Sequence, residues 1–186
     1  SFTIIAASVI ALRQDNLKLR LAYSTVSQLS YIVLAVALLT PGGITSSVLH
    51  ISIHAFGKIT LFFVAGAIYV AAHKKYVSEL DGIGRRMPLT MAAFTLGALS
   101  MIAVPPLGGF VSKWYLILGA VEAHLLPVIL VMVLSTLLNA GYYLPIVYAA
   151  FFKPAPDREA AGLREAPALL VVPLVITATG AVALFF

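Results

Sequence analysis

The chain contains no cysteine, which excludes disulfides, thiolate metal sites and thiol catalysis. Charged side chains are also scarce. They make up 10% of the 186 residues, against about 25% in an ordinary soluble domain. Hydrophobic residues reach 61% and the mean hydropathy is +1.04. A soluble fold could not cover its surface with so few charges, so the composition predicts a protein that lies in lipid.

The net charge of +5 is carried in short links and at single positions rather than in a stripe. This distribution disfavours nucleic acid as a partner. The chain begins at Ser1 and ends at Phe186 in apolar runs, without the basic leader and cleavage site of a signal peptide. We therefore expect it to be the interior of a longer protein.

Seven apolar segments alternate with polar links, when the chain is divided by the roughly 20 residues that a transmembrane helix needs. The segments cover residues 1–12, 19–40, 44–72, 87–104, 105–121, 125–152 and 166–186. No link is long enough for a second domain. The sequence thus predicts a single transmembrane domain fragment, a polytopic all-α bundle in the cell membrane.

The links differ in basic content. Counting alternate crossings places residues 13–20 and 73–86 on one side with seven Lys/Arg, and residues 153–165 on the other side with three. The positive-inside rule would put the first side in the cytoplasm.

Acidic residues are absent from the middle of every predicted segment, since all seven lie in links or at segment ends. Four basic or titratable residues do lie there: His50, His54, Lys58 and Lys113. Lys18 lies at the edge of the second segment. A lysine at a helix centre costs about 2.5–3.5 kcal/mol on insertion scales, so such residues normally face a bundle interior or a wet cavity.

His50, His54 and Lys58 follow one another at intervals of four residues, which places them on one helix face over about 12 Å. Histidine exchanges protons near neutral pH, so the row predicts a proton path. Two alternatives stay open. In the first, the histidines have no other role than a hydrogen bond to a neighbouring helix. In the second, they hold metal or haem, although no carboxylate or thiolate completes a ligand set.

Lys113 follows a stretch that opens with Pro105 and Pro106 and contains Gly109. Proline removes backbone donors and glycine loosens the turn. Irregular backbone at membrane depth is tolerated where it lines a cavity, so we predict that Lys113 is a hydrated charge at the end of the path. The alternative, suggested by the adjacent Trp114, is a lysine that anchors a helix at the membrane interface.

Ser24, Ser27 and Gln28 bring hydroxyl and amide groups into an apolar helix. Such groups bridge helices or hold water. We predict that they support the path.

Four motifs occur in an order that resembles the antiporter-like subunits of respiratory complex I and of Mrp-type cation/proton antiporters. They are the stretch Leu17–Gln28, the histidine and lysine helix His50–Phe62, the link Glu79–Pro88 and the broken helix Pro105–Lys113. Two further stretches, Ser112–Leu116 and Leu138–Tyr148, look closest to the Mrp-type antiporters within this family.

The resemblance implies a core of 14 transmembrane helices made of two inverted five-helix repeats, each with a broken helix. This chain would hold the later part of the second repeat, from the end of helix 8 into helix 14. The resemblance also implies an orientation opposite to the one that the positive-inside rule gives, so the sequence leaves the membrane orientation open. Lys18 matches a family lysine at a helix start. The row His50, His54 and Lys58 matches the titratable residues of the central hydrophilic axis, and Lys113 matches the broken-helix lysine.

These features predict a proton-translocating subunit of a multi-subunit cation (Na⁺)/H⁺ antiporter, with other integral membrane subunits and lipid around it. One alternative is a proton-pumping subunit of complex I (NADH:quinone oxidoreductase) or of a membrane-bound hydrogenase. Another is a structural subunit that conducts nothing and only scaffolds partners or binds lipid or quinone.

Sodium prefers hard oxygen ligands, and the predicted segments hold no acid. We therefore expect this chain to carry protons, with any Na⁺ path elsewhere in the wider complex. The sequence shows no nucleotide fingerprint, cofactor ligand set or nucleophile–base arrangement. It predicts a transport subunit without cofactor or metal rather than an enzyme.

Overall fold

The computed structural model describes residues 1–154 and 165–186. Within these ranges all regular elements are helical, apart from one β-bridge between Asn16 and Tyr76. The helices are α1 (Phe2–Arg13), α2 (Leu17–Ala37), α3 (Pro41–Ala72), α4 (Ile83–Arg86), α5 (Pro88–Ile102), α6 (Gly108–Glu122), α7 (Leu126–Phe152) and α8 (Ala168–Ala183), with a 3-10 turn at Val77–Glu79. The predicted all-α class is confirmed.

In the described ranges, helices α2, α3 and α7 are long and apolar enough to cross a membrane. Helices α1, α5 and α8 are apolar but shorter. The chain is therefore a multi-pass membrane protein, as its composition predicts.

The turn between α2 and α3 lies earlier than predicted. Helix α2 ends at Ala37 rather than at Thr40, and Leu39 takes a left-handed conformation with φ 54°. Thr40 then caps α3, since its Oγ1 accepts from the backbone N–H of Gly43 at 3.1 Å. Pro41 occupies the first turn, where its missing N–H costs nothing. The residues predicted as a link thus begin a helix of 32 residues.

Helices α5 and α6 lie in line along α3, which is about 48 Å long. Helix α6 runs beside the N-terminal half of α3, where Ser46 Oγ donates to the carbonyl of Ser112 at 2.7 Å. Helix α5 runs beside the C-terminal half, where Gly97 packs on Leu61. Each has 15 residues, too few to cross alone. The predicted fourth and fifth segments are therefore two halves of one broken crossing.

This single crossing changes the side on which the described ends of the link after α7 lie. Lys153 Nζ is 3.2 Å from the Asp81 carboxylate, and Glu165 accepts from the backbone N–H of Leu89 at 3.0 Å. Both described ends of the link therefore contact the end of the bundle where α5 begins. The prediction that the link after α7 lies on the opposite side is wrong for Lys153 and Glu165, because it counted α5 and α6 as two crossings, and the rest of that link lies outside the described residues.

The basic residues of the described links consequently gather at one end of the bundle. The short links at the other end, residues 38–40 and 123–125, contain no lysine or arginine. The positive-inside rule predicts that the basic end faces the cytoplasm.

Glycines allow α3 and α6 to touch through their backbones. A Cβ added to Gly119 would lie 2.5 Å from the backbone nitrogen of Gly43, and one added to Gly42 would lie 2.8 Å from the backbone nitrogen of Gly119. The opposing atoms are backbone and cannot rotate away. This close approach brings His50 of α3 into hydrogen-bond distance of Ser112 in α6.

We expect Gly119→Ala to destabilise the full-length protein by about 1–3 kcal/mol, the usual cost of forcing extra atoms into a packed site. The matched control is Gly66→Ala in α3, because a Cβ at Gly66 meets no atom within 4 Å. Thermal unfolding of the purified protein in detergent measures both. Equal melting temperatures for the two variants would contradict the close contact.

Candidate proton-transfer site

Lys58 lies in the middle of α3 and is only 5% exposed. Its Nζ donates to Ser24 Oγ at 2.8 Å, to Tyr143 OH at 3.1 Å and to the carbonyl of Leu21 at 3.2 Å. An ammonium group has three hydrogens to donate, so these neutral oxygens use all of them. The desolvation cost of the buried charge is offset without a carboxylate.

A row of hydrogen bonds extends from Lys58 toward α7. Ser24 Oγ is bonded to Tyr142 OH at 2.9 Å, and the same phenol oxygen is bonded to Asn139 Oδ1. The amide Nδ2 of Asn139 then donates to the carbonyl of Met101 at 3.5 Å. Residues far apart in sequence thus form one continuous polar row through an apolar bundle.

Lys58 and Asn139 bound the row with opposite hydrogen-bonding roles. The Lys58 ammonium can only donate, and Asn139 Oδ1 can only accept. Tyr142 OH lies between them and has one hydrogen for two acceptors, Ser24 Oγ and Asn139 Oδ1. Ser24 Oγ accepts from Lys58 and is bonded to Tyr143 OH at 2.7 Å. The single hydrogen of Tyr142 therefore serves one of these neighbours at a time.

The break between α5 and α6 supplies the oxygens that hold Lys113. Helix α5 ends where Ala103 turns left-handed with φ 78°, which leaves carbonyls at its C-terminal end. Lys113 Nζ donates to the carbonyls of Met101 at 3.0 Å and Ile102 at 3.5 Å. The negative end of a helix dipole favours a cation at this place.

Lys113 is 5% exposed, and its Nζ lies 5.2 Å from the centre of the Tyr31 ring. Burial of this kind is unlike that of a lysine whose ammonium group extends to the membrane interface. A cavity of about 240 Å³ adjoins the lysine and is lined largely by apolar side chains, among them Trp114 and Met132. The carbonyl of Met101 accepts from both Lys113 and Asn139, so the row that begins at Lys58 ends at an oxygen that also holds Lys113.

The histidines form a second polar row on α3. The rings of His50 and His54 stack with centroids 5.9 Å apart. His50 Nδ1 is hydrogen-bonded to Ser112 Oγ at 2.9 Å, one residue before Lys113. The row therefore links the neighbourhood of Lys58 to that of Lys113 by a route separate from the hydroxyls.

Four buried polar atoms have no partner in the described part of the chain. They are the Nε2 atoms of His50 and His54 and both amide atoms of Gln28. Gln28 is fully buried and lies next to Tyr142. A buried polar group without a partner costs about 1–3 kcal/mol, so these atoms mark where water or another polar group would be stabilised.

The remaining predicted residues lie apart from both rows. Ser27 Oγ is bonded to Ser8 Oγ at 2.8 Å and to the carbonyl of Ile4 at 3.1 Å, so it joins α1 to α2. Lys18 lies exposed in the first turn of α2, with its Nζ 5.5 Å from the centre of the Tyr69 ring. The structure does not bring Lys18 together with the buried lysines.

Sequence reasoning missed the three polar residues of α7, Asn139, Tyr142 and Tyr143. Their spacing of three and four residues places them on one face of an apolar helix. This was a usable signal, the same one that identified the row on α3. Phenol and amide groups are neutral, however, so in an apolar segment they cost less than a charge and are a weaker sign of function.

The chain matches the protein family described as NADH:quinone oxidoreductase/Mrp antiporter, TM, over residues 1–139. It therefore belongs to this family of antiporter-like membrane subunits.

Two relatives with assigned names cover nearly the whole chain. NADH-quinone oxidoreductase subunit N of Desulforudis audaxviator is 39% identical over 97% of this chain and 38% of its own length. NADH-quinone oxidoreductase subunit L of Mycobacterium tuberculosis is 33% identical over 97% of this chain and 29% of its own length. The chain thus spans less than half of these relatives.

Solved structures show the same helix arrangement. A chain of the membrane-bound sulfane sulfur reductase, an archaeal respiratory membrane complex, superposes with a TM-score of 0.90 at 26% identity, over 98% of this chain and 30% of its own length. A chain of the Mrp complex from Dietzia sp. DQ12-45-1b gives 0.90 at 24% identity, over 98% of this chain and 42% of its own length. At this identity, the likeness to the Mrp chain shows a shared fold and no more.

Proposed function

We propose that the protein containing this chain is a proton-translocating subunit of a multi-subunit membrane complex, with Lys58 and Lys113 as its buried proton carriers. The observation that carries the proposal is the burial of Lys58 and Lys113 among neutral oxygens, with the stacked rings of His54 and His50 between them. Two buried cations cost free energy to place in a membrane, and a bundle that only scaffolds partners would gain nothing from them.

The two polar rows have different parts in this proposal. Histidine rings take up and release protons, and the unpartnered atoms of His50 and His54 offer places for water. The proton route is therefore the row Lys58, His54, His50 and Ser112. A carbonyl gives no proton, and an amide gives one reluctantly, so the row that ends at Met101 orients charge rather than passing protons.

For the coupled reaction, the motifs at residues 112–116 and 138–148 favour a cation (Na⁺)/H⁺ antiporter of the Mrp type. The chain then carries the proton, and Na⁺ moves through other subunits. Neither lysine has a carboxylate hydrogen-bond partner in the described residues, and Na⁺ prefers such hard oxygen ligands.

A specific observation favours a second candidate, a proton-pumping subunit of an NADH:quinone oxidoreductase. The relatives at 39% and 33% identity carry the names of such subunits. In both candidates the chain is a transport part beside other integral membrane subunits of the cell membrane, and the redox chemistry, where there is any, occurs elsewhere.

The replacement of either buried lysine should stop proton-coupled transport. We expect Lys58→Met and Lys113→Met to abolish proton movement in inverted vesicles, measured with a pH-sensitive dye, because each removes the titratable group and keeps an apolar side chain of similar length. Assembly of the complex is checked by gel filtration. Undiminished transport in both variants would contradict the proposal and favour the structural alternative.

Loss of the Tyr142 hydroxyl should slow transport without stopping it. We expect Tyr142→Phe to lower the rate about tenfold, equivalent to about 1.4 kcal/mol, since Ser24 and Asn139 would lose the group that joins them. Tyr148→Phe is the matched control, because Tyr148 lies on the same helix and is 58% exposed. A rate in Tyr142→Phe equal to that of the control would show that the hydroxyl row has no part in transport.

The two candidate functions are distinguished by what drives proton movement. In proteoliposomes that hold the full complex, we expect an imposed Na⁺ gradient to drive proton movement for the antiporter. The quinone oxidoreductase would instead need NADH and quinone and would ignore the Na⁺ gradient. Proton movement that depends on NADH alone would overturn the antiporter assignment and leave the role of the lysines intact.

A further inference from the structure

A cavity of about 260 Å³ opens at the basic end of the bundle, between the start of α2 and the last turns of α3. Three lysines, Lys18, Lys74 and Lys75, contribute to its wall, together with Asn16 and Tyr69. Among the described residues no acidic side chain lines it. The cavity therefore has the charge of an anion-binding site.

Two of the lysines converge on one aromatic ring. The Nζ atoms of Lys18 and Lys75 lie 5.5 and 5.1 Å from the centre of the Tyr69 ring. Both side chains are exposed. In the described part of the chain neither is paired with a carboxylate, so both ammonium groups remain open to an external anion.

The nearest acids are already bound to other groups. The Asp15 carboxylate accepts from the backbone N–H of Ser78 at 3.0 Å and from the Ser78 hydroxyl at 2.7 Å. Glu79 accepts from the backbone N–H groups of Tyr76 at 3.0 Å and Lys75 at 2.9 Å. These backbone donors, that of Tyr76 first, hold the pKa of Glu79 below its ordinary value. The local carboxylates thus stabilise the link and leave the ammonium groups of Lys18 and Lys75 available.

The cavity lies where a membrane meets water. Asn16 caps the first turn of α2, and Tyr69 stands one turn before the end of α3, in the position of an interfacial aromatic residue. The wall continues to Ala65, about 6 Å deeper along α3. The site therefore has a cationic mouth in the headgroup layer and an apolar side toward the hydrocarbon.

We propose that this cavity binds the phosphate of an anionic phospholipid, with Lys18 and Lys75 as its cationic ligands and the apolar side along Ala65 facing the acyl chain. Free phosphate shares the anionic chemistry, but it has no part that would fill the apolar side. A basic pocket between transmembrane helices is a common form of anionic lipid site. This gives Lys18 a role apart from the proton path that its sequence motif implied.

The test uses the full protein in its purified complex, stripped of lipid in detergent, with phosphatidylglycerol as the probe and phosphatidylcholine as the uncharged comparison. Native mass spectrometry counts the lipids retained. We expect phosphatidylglycerol to be retained in preference. The affinity should fall about fivefold for each of Lys18→Gln and Lys75→Gln, since a lysine near an anionic headgroup contributes about 1 kcal/mol.

The matched control is Lys153→Gln, which removes the same charge at the same end of the bundle but outside the cavity. The control should retain phosphatidylglycerol, and Lys18→Arg with Lys75→Arg should retain it as well. If the Lys18→Gln variant fails to fold, the Lys75→Gln variant in the exposed link gives the same test.

Three results would overturn the proposal. They are equal retention of phosphatidylcholine, an equal loss in Lys153→Gln, and displacement of the lipid by inorganic phosphate at matched concentration, which would identify a free phosphate site. Lipid counting needs no transport, so its outcome is independent of whether Lys58 and Lys113 carry protons.

Discussion

A buried ammonium group needs oxygen acceptors, and the bundle is arranged to provide them from neutral groups. At Lys58 they come from α2 and α7, through Ser24, Tyr143 and a backbone carbonyl. A carboxylate partner would fix the charge more strongly and make the loss of a proton costly. Neutral oxygens stabilise the ammonium group enough to admit it to the membrane without fixing the charge as a carboxylate would, as the proposed function requires.

The broken crossing provides for the other lysine in a different way. A continuous helix would satisfy the carbonyls of Met101 and Ile102 internally, whereas the end of α5 leaves them for Lys113. The glycine contact between α3 and α6 then holds this second half against the histidine row. Backbone geometry, rather than acidic side chains, therefore sets the electrostatics around Lys113.

Much of the bundle and its charged residues could be predicted from sequence. The interval of four between His50, His54 and Lys58 identified one helix face, and all three side chains are buried. The prolines before Lys113 indicated the break. These signals are local, since a helix turns by a fixed amount per residue and a charge in an apolar run is costly wherever the helix packs.

The parts that could not be predicted depend on distant contacts. The bond between Ser24 and Tyr142 joins residues 118 positions apart, and no local pattern specifies that pairing. The start of α3 at Pro41 was misplaced because proline and glycine serve equally in turns and in the first turn of a helix. The predicted side of Lys153 and Glu165 was wrong because two short apolar segments in line look, in sequence, like two crossings.

The Tyr142 hydroxyl has one hydrogen for two acceptors, Ser24 Oγ and Asn139 Oδ1. Whichever oxygen receives that hydrogen, the other is left short of a donor inside an apolar bundle. A buried polar group in this condition is where an ordered water is stabilised. The row between the two lysine sites is therefore an incomplete network, and a single phenol decides where it takes up water.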